Sequence, residues 1–229
     1  MRDFTRYAIY YTFPPGPLAE FGAAWLGWDA ARGQEVTPPE IGPLPRPVTE
    51  LTATPRKYGL HGTIKPPFQL AEGARAADLQ AAFRAFCDTR APVMLDGLRL
   101  ARMGSFLALM PEGETGPLSD LAAAVVAGLD AFRSPLTPDA LARRRQARLT
   151  ERQEALLLRW GYPHVMEAFR FHVTLTGRLS RAEAEQTRTT LEPVLAPLLP
   201  RPFAVEALTL CGEDGTGRFH EIDRRSLAG

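Results

Sequence analysis

Two cysteines, Cys87 and Cys211, are too few to build a fold on disulfides, and no Cys-x-x-Cys spacing occurs in the 229 residues. Two reduced thiols in a cytoplasmic protein is the reading this usage supports. Charge of one sign is lacking too: 27 Lys plus Arg stand against 26 Asp plus Glu, a formal net charge of +1. Nothing therefore draws the whole chain toward nucleic acid or an anionic membrane, and any electropositive surface has to be local. The most apolar stretch, Leu121 to Leu129, is far shorter than a bilayer span. The opening Met1-Arg2-Asp3-Phe4-Thr5-Arg6 has no apolar leader core, so a cytoplasmic protein without a membrane partner is expected. No His-Glu-x-x-His, Cys/His cluster or Asp-rich loop is present, and neither a metal nor a cofactor is expected. Gly212-Glu213-Asp214-Gly215-Thr216-Gly217 has neither the spacing nor the Lys-Ser/Thr ending of a phosphate-binding loop and reads as a hairpin turn.

Proline, by contrast, is abundant. Of 21 prolines, Pro38, Pro39, Pro43, Pro45, Pro47 and Pro55 fall in one stretch. Such a segment is neither regular helix nor central strand, leaving an ordered loop or a mobile flap. The chain is long enough to bury a core without staples, as one large domain or two joined lobes, with a monomer as the default.

Patterning supplies the elements. Arg6 to Thr12 is aromatic and β-branched, as a strand requires, and Leu18 to Trp28 has helical spacing. A strand from Tyr58 to Lys65 is expected to stop at Pro66-Pro67. A helix from Ala76 to Thr89 carries Leu79, Phe83 and Phe86 on one face. Val93 to Arg102 and Ser105 to Met110 read as strands joined at Met103-Gly104, followed by a helix from Leu118 to Phe132. Thr137 and Pro138 are suited to open one long helix reaching Trp160. A strand from Ala168 to Arg178 precedes a helix opened by Ser180, with Glu183 at the capping-box position. Strands from Phe203 to Cys211 and from Arg218 to Arg224 complete the chain.

Within this order one tetrapeptide occurs twice: His61-Gly62-Thr63-Ile64 and His172-Val173-Thr174-Leu175. On a strand, residues two apart share a side, so each His projects with its Thr while Ile64 and Leu175 can enter a core. The intervals His61 to Leu98 and His172 to Leu208 differ by one residue, and each holds strand, helix and strand. This is the signature of a duplication. It predicts an α+β (α/β-like) fold with two pseudo-symmetric lobes, each an antiparallel or mixed sheet with outer helices, around a central cleft. The whole chain, 1–229, reads as a single bilobal domain, with repeats at about 56–111 and 168–224 and a helical insertion at about 134–167. The motif strands are expected side by side or facing across a groove, where ligands favour binding.

Paired His-x-Thr motifs about half a chain apart, each on a strand followed by a helix, resemble the two-histidine (2H) phosphoesterase superfamily. That group includes RNA 2′,3′-cyclic phosphodiesterases, 2′-5′ RNA ligases and plant-type cyclic nucleotide phosphodiesterases. The wording Arg56-Lys57-Tyr58-Gly59-Leu60-His61-Gly62-Thr63-Ile64-Lys65-Pro66-Pro67-Phe68, with Phe169-Arg170-Phe171-His172-Val173-Thr174-Leu175-Thr176-Gly177, is similar to a bacterial branch described as phosphonate-metabolism proteins and associated with carbon–phosphorus lyase gene clusters. The resemblance implies a metal-independent cyclic phosphodiesterase. His61 and His172 form its acid–base pair, in an order the sequence leaves open, and Thr63 and Thr174 donate to the phosphate oxygens. Strand parity adds Lys65 and Arg170 as candidate substrate cations; the competing reading puts both at strand ends, in water. Parity assigns Tyr58 to the core unless Gly59 bends the chain toward the site; it is retained as a substrate-binding candidate.

The expected partner is a small phosphorylated substrate, a ribose or nucleotide cyclic phosphate, with phosphoribosyl 1,2-cyclic phosphate singled out by the resemblance. RNA bearing a 2′,3′-cyclic phosphate and a non-catalytic nucleotide-binding module are the alternatives. His164 and His220 read as structural histidines. Arg143-Arg144-Arg145-Gln146-Ala147-Arg148 reads as a solvated helix face rather than an RNA handle, on a helix that partly covers the groove.

Overall fold

The computed structural model describes residues 3–229; Met1 and Arg2, part of the expectation about a leader, lie outside them. In chain order the elements are β1 (Arg6–Thr12), α1 (Pro17–Leu26), β2 (Trp28–Asp29), β3 (Gln34–Glu35), α2 (Val48–Leu51), β4 (His61–Phe68), α3 (Ala76–Cys87), β5 (Val93–Leu95), β6 (Gly97–Met103) and β7 (Phe106–Glu112). Then follow α4 (Gly116–Gly128), α5 (Pro138–Arg145), α6 (Glu151–Trp160), β8 (Val173–Thr174), α7 (Arg181–Leu195), β9 (Phe203–Val205), β10 (Ala207–Glu213) and β11 (Phe219–Ser226). The fold is α+β, centred on one antiparallel sheet of seven strands in the order β11-β10-β1-β4-β8-β7-β6.

The two motif strands are neighbours at the middle of that sheet, paired through Gly62 and Val173. The repeats are exchanged around them. Hairpin β6–β7, from the first repeat, continues the sheet beyond β8, whereas β10–β11, from the second, lies beyond β4 with β1 between. Helices follow the same exchange, α3 against β10 and β11 and α7 against β6 and β7. The two expected lobes are thus the halves of one continuous sheet.

Strand alternation divides the two faces. Along β1, Tyr7, Ile9 and Tyr11 enter the main core with Ile64, Leu79, Phe83, Val173 and Leu191, while Ala8 and Tyr10 turn to the other face beside Phe219 and Tyr58. Gly62 also faces the core, beneath the Phe171 ring. A Cβ at Gly62 would lie 2.3 Å from Phe171 Cε2, closer than any packed contact. Overfilling a dense core costs about 1–3 kcal/mol, so Gly62→Ala is expected to destabilise by that amount in urea denaturation. Phe171→Leu should restore part of the loss in the double variant, and an unchanged midpoint in Gly62→Ala would contradict the packing.

Several boundaries differ from expectation. Strand β4 runs through Pro66 and Pro67 to Phe68. Register slips against β1 occur on either side of Ile9, and the short β8 contacts β4 only at Gly62, so the missing proline N–H groups interrupt no ladder. The single helix expected from Thr137 to Trp160 is two. Thr150 starts α6 with a second capping box, its Oγ1 accepting from Gln153 N at 3.2 Å while Gln153 Oε1 accepts from Thr150 N at 3.0 Å. The strand expected from Ala168 to Arg178 shrinks to Val173–Thr174, because Leu175 and Thr176 N–H groups both turn to the Leu107 carbonyl. The Thr176 hydroxyl is buried and bonded to Leu107 N, not presented with Thr174. The proline-rich stretch is an ordered loop, with Ile41, Leu44 and Val48 packed on the core and Leu51 buried in it. The capping box at Ser180 is as expected. No helix among the described residues is long and apolar enough to cross a membrane.

Candidate active site

The pairing of Gly62 with Val173 in an antiparallel ladder sets His61 across from Thr174 and Thr63 across from His172. Directly opposed residues hold their Cβ atoms about 4.5–5.5 Å apart on one face. All four side chains therefore leave the sheet on the face opposite the main core. Each histidine is oriented by the same local contact. His61 Nδ1 lies 3.0 Å from the Gly59 carbonyl oxygen, and His172 Nδ1 lies 2.8 Å from that of Arg170. A carbonyl only accepts, so both Nδ1 atoms carry hydrogen and both Nε2 atoms are left for chemistry. The Thr63 hydroxyl lies 3.3 Å from His61 Nε2.

The surroundings of the two rings differ. His61 is packed on Tyr10 and Tyr58, with centroids 4.1 and 5.4 Å away, and Phe219 backs both tyrosines. Burial in this aromatic nest pushes the His61 imidazole from 6.5 down to about 4; the Gly59 carbonyl opposes the shift and nearby His172 adds to it. His172 meets one ring, Phe106, at 5.7 Å. A cavity of about 380 Å³ opens over this face, walled by His61, Thr63, Thr174, Tyr58, Tyr10 and Arg144 among others. His172 is not among its walls; the register places it beside Thr63 at the same central pairing.

Tyr58 belongs to the site because Gly59, at φ 72°, ends the turn of 3-10 helix over Arg56–Tyr58 and redirects the chain into β4. Its ring joins the cavity wall and carries Lys57 Nζ 4.9 Å from its centroid. Lys65 and Arg170 do not reach the histidine cavity. The Lys65 side chain is 2% exposed, its Nζ donating to the Val126 carbonyl at 3.0 Å and lying 3.6 Å from Asp130 Oδ1. The register slip between Thr63 and Lys65 breaks the alternation on which parity depends. Burial pushes the Lys65 ammonium down to about 8, against the pull of Asp130. Arg170 lies outside regular strand, and its guanidinium folds back on the Glu167 and Phe169 carbonyls. What it gives the site is the carbonyl that holds His172.

Three site residues escaped the sequence reading. Tyr10 sits opposite Thr63 across β1 and β4, and its buried hydroxyl has no hydrogen-bond partner among the described residues, an available donor for a phosphate oxygen. Arg6 is clamped on Glu213, with Nη2 2.6 Å from Oε1. Arg144, from the arginine run, is half-buried over Tyr162 at 4.9 Å and lines the cavity. The strand alternation of β1, which turns Tyr10 away from the main core with Ala8, is the sequence signal that could have found Tyr10. Of the histidines read as structural, His220 is buried, with Nε2 2.7 Å from Asp214 Oδ2. His164 is exposed beside Tyr162. Among the described residues no three His, Cys, Asp or Glu side chains converge as a metal site.

Residues 63–220 match the family described as "Protein of unknown function (DUF1045)". Two curated relatives are named ribose 1,5-bisphosphate phosphokinase PhnN. One, from Janthinobacterium sp. (strain Marseille), is 40% identical over 99% of this chain and 52% of its own length. The other, from Laribacter hongkongensis (strain HLHK9), is 34% identical over 90% of this chain and 50% of its own. The chain spans about half the length of the curated relatives it matches. Among solved structures, E. coli LigT complexed with 3′-AMP aligns over 99% of this chain and 100% of that one, at 18% identity and a TM-score of 0.42.

Proposed function

Since the chain belongs to the DUF1045 family, whose description assigns no activity, we propose from its site that it is a cyclic phosphodiesterase of the two-histidine phosphoesterase type, acting on a small ribose or nucleotide cyclic phosphate. The observation that carries this reading is the central pairing, which crosses the two His-x-Thr motifs so that each imidazole stands opposite the other motif's hydroxyl. The reading sets one phosphate over that face between the two imidazoles.

The asymmetry of the rings orders the roles. His61, kept neutral by its aromatic nest, accepts the proton of water at Nε2 as the water oxygen bonds to phosphorus. The bond from phosphorus to one ribose oxygen breaks, and His172 Nε2 delivers a proton to that oxygen. Water is consumed and a phosphomonoester with a free hydroxyl results. Thr63, Thr174 and the unpartnered Tyr10 hydroxyl donate to the non-bridging oxygens as charge builds there. A base kept neutral by its surroundings, with a second imidazole across the central pairing, is an arrangement suited to acid–base catalysis at neutral pH.

The relatives' name supports a particular ester. Hydrolysis of phosphoribosyl 1,2-cyclic phosphate at O2 yields ribose 1,5-bisphosphate, the compound in that name. A phosphate-binding loop ends in Gly-Lys-Ser/Thr, and no Gly-Lys pair occurs in this chain. Its residues therefore supply no nucleotide loop of that kind, and a reaction that delivers the bisphosphate fits them better than one that phosphorylates it. The protein would act in the cytoplasm, as a monomer, without a metal.

Product analysis by phosphorus NMR tests the proposal. In excess EDTA the cyclic-ester resonance is expected to give way to a monoester at an unchanged rate; no turnover of any ribose cyclic phosphate would refute it. The pH dependence carries a sign. Because His61 titrates at about 4, the acid limb of kcat/KM is expected near 4 rather than at the ordinary 6.5. Between those values the unfolded chain takes up a proton that the folded one refuses, so stability is also lost as pH falls from 6.5 toward 4. An acid limb at 6.5 would remove His61 from the role of base.

A further inference from the structure

Beside the histidine cavity lies a larger one of about 620 Å³, and the two share Arg6, Pro66, Pro67 and Arg144 as walls. Among the described residues, five cations line the larger cavity, namely Arg6, Lys65, Arg133, Arg143 and Arg144, and no carboxylate does. Among the described residues, two carboxylates pair with them. Glu213 is taken by Arg6, and Asp130 serves both Arg133, with Nε at 2.8 Å, and Lys65. Arg143 and Arg144, on α5, have no carboxylate partner among the described residues.

Crowding cations without counter-charge is unfavourable in a partly dry cavity and is relieved by a bound anion. Burial holds the Arg144 guanidinium below its ordinary value; Tyr162 opposes the shift, and Arg6 and Arg143 add to it. Of the two cations that line both cavities, Arg6 is paired with Glu213 and Arg144 is unpaired among the described residues. Arg144 and Arg143 come from the insertion between the repeats, so this charge is additional to anything the duplicated strands provide.

We propose that the larger cavity is a second anion site, holding a terminal phosphomonoester of the same molecule whose cyclic diester lies over the histidines. The inference rests on the proposed phosphodiesterase reading and narrows it to a small phosphorylated sugar cyclic phosphate. A monoester dianion matches the surplus of positive charge better than the monoanionic linkage of an RNA end. Pro66 and Pro67, shared by both cavities, form the sill across which the sugar would lie.

Calorimetric titration with ribose 5-phosphate, alongside kinetics on ribose 1,2-cyclic phosphate with and without a 5-phosphate, tests this. Removing a charged hydrogen-bond donor typically costs about tenfold or more in affinity. Arg144→Gln is expected to weaken ribose 5-phosphate by at least that factor, while His61→Ala leaves its binding within about twofold. Arg143→Gln, at an exposed position lining only the larger cavity, should lower kcat/KM on the 5-phosphorylated ester by about threefold or more and leave the unphosphorylated ester unchanged. If no cyclic ester is turned over, the titration still decides: loss of ribose 5-phosphate binding in Arg144→Gln upholds the anion site while the phosphodiesterase reading falls. Equal binding by wild type and the Arg143→Gln/Arg144→Gln double variant would overturn the proposal. So would loss of binding in His61→Ala alone, or faster turnover of an oligonucleotide 2′,3′-cyclic phosphate than of the phosphorylated sugar.

Discussion

His61→Ala is expected to lower kcat/KM for a ribose cyclic phosphate by about 10²–10⁴-fold, the range assigned to a positioned acid or base, and His172→Ala by a comparable factor. The two imidazoles act on one transition state, so the double variant should lose little more than either single one. Neither substitution removes a core side chain, since both rings are only half-buried and face the cavity side of the sheet. Folding should survive, and ligand binding with it. His61 has a further signature. In His172→Ala the acid limb near 4 should persist, because burial among Tyr10 and Tyr58 is its main cause. In Tyr58→Ala the ring gains solvent and the limb should move toward 6.5. Unaltered turnover in either histidine variant would dismiss the acid–base assignment. Ligand binding without any turnover by the wild type would favour a nucleotide-binding module.

Asp130→Ala is expected to give the largest change in stability among the charged residues behind the site. Lys65 is almost wholly enclosed, with Asp130 as its carboxylate partner and the Val126 carbonyl as its acceptor. Removing one member of a buried ion pair costs about 3–5 kcal/mol. Asp130 keeps 19% of its side chain in water, so the loss should fall near the lower end, at about 3 kcal/mol. The sign of its pH dependence follows from Lys65. In the parent the ammonium titrates at about 8, and above that value it no longer needs a counter-charge. The deficit measured by urea denaturation should therefore be greater at pH 7 than at pH 9. Lys65→Met, which removes the charge but keeps the volume, should cost much less than Asp130→Ala. An Asp130→Ala deficit that is independent of pH would show that Arg133, not Lys65, is the partner that matters.

How much of this was legible beforehand depended on the range of the forces involved. The first His-x-Thr strand and the helix opened by Ser180 and Glu183 are local patterns, and they stand where the sequence put them; the second motif strand is shorter than expected, and the hairpin turn falls one residue later, at Gly104-Ser105. The exchange of hairpins between the two halves was not legible, because strand order is settled by long-range packing. The second capping box, at Thr150 and Gln153, is as local a pattern as the Thr137-Pro138 opening, and it divides the one helix that opening alone predicts. Parity placed His61, Thr63, His172 and Thr174 on one face, since all four lie within a residue of the central pairing. It failed for Lys65, past a register slip, and for Arg170, outside regular strand. Arg144 was read as one of a solvated run; only the fold of α5 against Tyr162 turns it toward the cavity.

The central claim is that His61 and His172 address one phosphorus atom. The most direct test is nitrogen-15 NMR of the histidine side chains during titration with vanadate, a mimic of the five-coordinate phosphorus. One equivalent is expected to shift the Nε2 resonances of both rings together, along a single binding curve, with His164 and His220 unmoved. Two separate curves, or a response from only one of the rings, would contradict it.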